Sequence, residues 1–71
     1  MPIHEYVIRY KDGLWQIRRS GHLVGAKQDK INALHCAQAL ARTGAGRGEQ
    51  SNIVVADVDG SIIEFPTIRP A

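Results

Sequence analysis

The sequence predicts an α+β domain of β-β-α-β-β order, with one helix packed on a mainly antiparallel four-stranded sheet. Two Asp-Gly pairs, Asp12-Gly13 and Asp59-Gly60, each sit between runs of β-branched and aromatic residues. Such a pair accepts the positive φ angles of a type I′ turn, which matches the twist of the strands it joins. Between the two pairs, residues 30–43 repeat apolar side chains at helical spacing.

Residues 4–11 alternate as a strand, and 14–20 return as its partner. A two-residue loop at Asp12-Gly13 pairs Tyr10 with Trp15 and Ile8 with Ile17. Tyr6, Ile8, Tyr10, Trp15 and Ile17 then share one face, and Val7, Arg9, Lys11, Leu14, Gln16 and Arg18 share the other. Ser20-Gly21 signals a turn, with 22–27 expected as an irregular or weakly extended connection. Asp29 is placed to cap the helix, and Gly44 to close it with Arg42 in the last turn. Ala33, Leu34, Cys36, Ala37, Leu40 and Ala41 fall on one helix side, a stripe small enough to lie close to a sheet. The glycines at 44, 46 and 48 predict a flexible loop over 44–51.

Strands are expected over 52–58 and 61–66. Counting outward from Asp59-Gly60 as a two-residue loop pairs Ala56 with Ile63 and Val54 with Phe65. Those residues are assigned to the helix side, leaving Ile53, Val55, Asp57, Ile62 and Glu64 on the open face. Pro66 and Pro70 end the pairing, and 67–71 read as a loose tail.

The chain of 71 residues is a single domain, residues 1–71, with a small core. A chain of this size buries only about 60% of its unfolded surface, so association with a second copy would help considerably. The net charge of +2 is far below that of a dedicated nucleic-acid binder. The lone Cys36 excludes an internal disulfide and suits a reducing cytoplasm, the compartment expected. Met1 to Glu5 lacks the basic and apolar regions of a leader, and no apolar run is long enough to span a membrane.

No constellation supports catalysis. His35 and Cys36 are adjacent on a helix and point about 100° apart. His4, His22 and His35 show no metal-ligand spacing with one another or with a second Cys. The glycines at 44, 46 and 48 follow a helix and lead to a strand, the reverse of a phosphate-binding loop. Asp57-x-Asp59-Gly60 resembles the start of a calcium loop, but its twelfth position is Ile68, where such a loop needs Glu. Ser20, Ser51 and Ser61 occupy turn contexts without an acid-base partner. No cofactor or metal is expected, and the protein is not expected to be an enzyme.

The residues left on the open face suggest a role. Val7, Leu14, Ile53, Val55 and Ile62 are aliphatic side chains among charges, the composition of an interface between two copies. Arg9, Lys11, Arg18 and Arg47 give an alternative, a phosphate-contacting strip for nucleic acid. The aromatic rings fall on the helix side, where they could not stack bases.

A strand start at Tyr6-Val7, Asp12-Gly13-x-Trp15-x-Ile17, Ala33-Leu34-x-x-Ala37-x-x-Leu40-Ala41 and Asp59-Gly60 together resemble a family of small bacterial proteins, domain of unknown function 2188. The likeness covers most of 4–65 and implies a β-β-α-β-β fold without an assigned activity. Residues 6–41 also resemble the N-terminal domain of HicB-type antitoxins, which bind and inhibit a small toxin ribonuclease, but without the third early strand of that domain. The expected function is an interaction or assembly module that forms a homodimer through its sheet, with a protein partner as a further possibility.

Overall fold

The structure, a computed structural model, describes residues 3–70. Met1 and Pro2, which enter the leader reading, and Ala71, the end of the expected tail, lie outside them. The elements run β1 (Ile3–Lys11), β2 (Leu14–Arg19), β3 (His22–Lys27), α1 (Lys30–Gly46), β4 (Gln50–Ala56) and β5 (Ile62–Glu64). They form an α+β domain with one helix on a mixed five-stranded sheet, in the order β3-β2-β1-β4-β5.

The first hairpin has the register the turn dictates, with Tyr10 opposite Trp15 and Ile8 opposite Ile17. Asp12 and Gly13 both take positive φ, 54° and 83°. Ser20 and Gly21 repeat that geometry at 49° and 88°, so the chain reverses again and 22–27 is a strand paired to β2. The expectation of an irregular connection there is corrected. Gly25 and a register shift between Ile17 and Arg18 break the alternation that would have revealed it. A Cβ at Gly25 would lie 3.4 Å from Ile17 Cδ1 and 3.8 Å from Cys36 Sγ, ordinary contact distances that place this strand position against the core and the helix.

The third strand decides the topology. Strands β1, β2 and β3 alternate in direction, α1 runs back, and β4 therefore runs parallel to β1 along its free edge. With two strands before the helix, the same count gives an antiparallel neighbour, which is why the four-stranded, mainly antiparallel expectation is corrected to five strands with a parallel seam.

The helix starts after Asp29 as its sequence suggests, with Ala33 N–H donating to Asp29 O at 3.0 Å. It runs past Gly44 to Gly46. The stop is Gly48, at φ 86°. Gly48 N–H donates to Ala45 O (3.0 Å) and Glu49 N–H to Gly44 O (2.9 Å), the paired bonds of a Schellman ending. The expected flexible loop over 44–51 thus shrinks to the three residues 47–49.

The second turn is also longer than expected. Asp57 N–H donates to Ser61 O at 2.8 Å, Gly60 N–H to Asp57 O at 3.1 Å, and Asp59 Oδ1 accepts from Ser61 N–H at 2.8 Å. These bonds close a loop over 57–61, and pairing resumes with Ala56 opposite Ile62 and Val54 opposite Glu64. A shift of one residue exchanges the two faces of a strand. Ile53 and Val55 therefore face the helix, while Val54 and Ala56 take the open side.

The core is Tyr6, Ile8, Ile17, Ile53 and Val55 from the sheet against Ala33, Ala37 and Ala41 of the helix. Trp15, Leu34, Cys36, Leu40, Phe65 and Ile68 pack at its margin. Ile68 also bridges Ser51 through two backbone hydrogen bonds of 2.8 and 2.9 Å, so the expected loose tail is docked at least to that residue.

Candidate protein interface on the open sheet face

The helix covers one side of the sheet; among the described residues no element covers the other. Inward parity at Tyr6, Ile8, Ile17, Ile53 and Val55 fixes what points outward. Across all five strands one row of paired residues reads Leu23, Arg18, Val7, Val54, Glu64. The next row reads Ala26, Gln16, Arg9, Ala56, Ile62. Val7 and Val54 lie at the middle of this face, half-buried by their neighbours, and Leu23 and Ile62 are exposed near its two edges.

Of the residues expected in an interface, Val7, Leu14 and Ile62 stand on the open face. Ile53 and Val55 do not: they are 1% and 2% exposed under the helix, and their assignment to an interface is corrected. The reason is the longer 57–61 loop. Val54, Ala56 and Leu23 replace them on the outward side. The positive-φ tendency of Ser20-Gly21, read as strictly as that of Asp12-Gly13, would have found Leu23.

The charges of the face divide across it. Arg18 holds its guanidinium over β2 and the adjoining turn, donating to Gly21 O at 3.3 Å and to Gln16 Oε1 at 3.5 Å. Glu64 stands at the other end of the same row. Neither forms an ion pair among the described residues. Arg9 and Lys11 share the face with Arg18, but Arg47 does not join them. Arg47 caps the helix beside the start of β4 and donates to Glu49 Oε2 at 3.3 Å. Arg9 lies level with Ala56, six residues along that strand from Gln50, or about 20 Å.

Among the described residues no aromatic ring belongs to the open face. Tyr6 is buried, and Tyr10 meets Trp15 edge to face on the helix side, ring centroids 5.3 Å apart. Lys30 Nζ lies 5.8 Å from the Trp15 ring centroid and donates to Asp57 Oδ2 at 2.7 Å. That bond, with the Val58 N–H on Oδ1, holds the Asp57 carboxyl below the ordinary carboxylate value. Both partners of this cluster are thereby engaged in fastening the 57–61 loop to the start of the helix.

The remaining reactive side chains are dispersed. His35 is exposed, Cys36 is a free thiol half-buried beside Gly25, and His4 Nε2 lies 3.5 Å from Glu49 Oε1. Among the described residues, no three His, Cys, Asp or Glu side chains converge as a metal would need. Among the described residues no helix is long and apolar enough to cross a membrane. Comparison with protein-family models, curated proteins and solved structures finds no match for this chain.

Proposed function

We propose that this protein is a non-enzymatic assembly module that pairs with a second copy of itself through the open face of its sheet. The observation that carries the reading is the uncovered patch of Val7, Val54, Leu23, Leu14 and Ile62, set among Arg9, Lys11, Arg18 and Glu64. Val7, Val54, Ala56 and Ile62 adjoin on this face, with Arg9, Arg18 and Glu64 beside them, and an apolar centre with charge around it is the composition of an interface. The size is adequate. The molecule measures 34 × 20 × 20 Å. A face of about 20 × 30 Å would bury on the order of 1,200 Å² in total, within the range of specific interfaces. A small core also gains stability from association.

The resemblance of residues 6–41 to the HicB-type N-terminal domain supports a protein-binding role. The nucleic-acid alternative draws on Arg9, Lys11 and Arg18 sharing a face. It is disfavoured by the lack of a stacking ring there and by Glu5 and Glu64 on the same side.

Sedimentation across a concentration series, with and without a single-stranded oligonucleotide, tests the reading. The expected result is a dimer whose population rises with concentration and ignores the oligonucleotide. Val54→Asp is expected to give a folded monomer. A wild-type chain that stays monomeric into the high micromolar range would overturn the proposal.

A further inference from the structure

Resting on that reading, we propose a particular symmetry for the pair: a two-fold axis running along the strands, between β1 and β4, so that Arg18 of each copy faces Glu64 of the other. The row Leu23, Arg18, Val7, Val54, Glu64 supplies the geometry. Its midpoint between β1 and β4 lies between Val7 and Val54. Arg18 is one strand beyond Val7, and Glu64 is one strand beyond Val54, so the two charges are equidistant from that midpoint.

A two-fold rotation about an axis in the interface plane, directed along the strands, exchanges left and right and preserves the row. Val7 of one copy then meets Val54 of the second, and Arg18 meets the second copy's Glu64 twice over. An axis laid across the strands along the same row does the opposite. It sets Arg18 against Arg18 and Glu64 against Glu64, and opposed like charges are strongly disfavoured at interfaces. The neighbouring row fits the first arrangement too: Gln16 lies over Ile62, and the aliphatic stem of Arg9 lies over Ala56.

Within one chain Arg18 and Glu64 stand three strand spacings apart, about 14 Å, too far to pair directly. Any coupling between them in association must therefore act between copies. Arg18→Glu alone and Glu64→Arg alone are each expected to weaken dimerisation about tenfold or more, since each replaces two attractive contacts by two repulsive ones. An equimolar mixture of the two variants is expected to recover a heterodimer, and the double variant to recover a homodimer. Circular dichroism of each variant identifies any that fail to fold, and the rescued combinations decide the matter for those.

If Val54→Asp dissociates the dimer while both charge variants associate as the wild type does, the open face is the interface but this axis is wrong. If each charge variant weakens association and neither combination restores it, the axis is likewise refuted. If the wild type never dimerises, the self-association reading itself falls.

Discussion

Tyr6 and Ile53 stand opposite one another across the parallel seam, and each is 1% exposed. Two residues further on, Ile8 and Val55 repeat the relationship. These four side chains join the two halves of the sequence beneath the alanine stripe of the helix. Truncation of Ile53 to Ala should cost about 3 kcal/mol, a large part of the stability of so small a domain. Val55→Asp should cost more, because it buries an unpaired charge. Urea unfolding followed by circular dichroism is the check. A Val55→Asp protein that remains folded would refute the assigned face.

That seam also marks where the sequence stops being legible. The hairpin of 3–19 is readable because Asp12-Gly13 and the polarity pattern agree. The helix stripe is readable because alanine at 33, 37 and 41 repeats every four residues. In β4 two signals compete. Ile53, Val54 and Val55 are all apolar, so alternation cannot choose a face, and the choice passes to the turn. The turn is misleading because Asp57 and Ser61, flanking Val58-Asp59-Gly60, close a longer loop through their own backbone and through Lys30, a residue 27 positions away. That bond is tertiary and leaves no local trace. The open face is consequently half legible: Val7, Leu14 and Ile62 follow from local pattern and Leu23 from the Ser20-Gly21 turn, but Val54 only from the assembled sheet.

Glu49 folds back over Gly44, and this contact sets the size of the effect of a glycine substitution. A Cβ at Gly44 would come 2.6 Å from Glu49 Oε1, so Gly44→Ala must displace the carboxylate from beside His4. In isolation, alanine is favoured over glycine inside a helix by about 1 kcal/mol. Because the carboxylate is the movable end of its side chain, Gly44→Ala should stabilise the wild type by less than this amount and a Glu49→Ala background by about 1 kcal/mol. Thermal melts of the four proteins in this cycle measure the difference. Equal effects in both backgrounds would mean the two residues do not interact.

Lys30 and Asp57 give the fold a dependence on acid. The Lys30 hydrogen bond holds the Asp57 carboxyl below its ordinary value of 3.8, and the Ser61 contacts lower Asp59 in the same direction. For a carboxyl depressed in the folded state, the stabilisation is complete above the unfolded value and lost as pH falls through the folded one. Stability from these two groups should thus be constant near neutrality and decline below about pH 4. Lys30→Met should raise the Asp57 value toward the ordinary one and leave Asp59 almost unmoved. Carbon-detected NMR titration of the carboxyl groups reports each directly, and an unshifted Asp57 would show that Lys30 does not govern it.

Ser51 presents two opposite expectations within one bridge. Its side-chain hydroxyl is fully buried and finds no hydrogen-bond partner in the protein, whereas its backbone accepts from and donates to Ile68. A buried polar group without a partner carries its desolvation cost uncompensated, so Ser51→Ala should be neutral or stabilising by up to about 1 kcal/mol. Ile68→Pro removes the N–H that donates to Ser51 O at 2.8 Å, and it also disturbs the packing of Ile68 at the core margin. It should destabilise by about 2 kcal/mol, the sum of an orphaned acceptor and lost apolar contact. Denaturation midpoints of the two variants should therefore move in opposite directions, or only the second should move. A loss of stability in Ser51→Ala comparable to that of Ile68→Pro would show that the hydroxyl is satisfied.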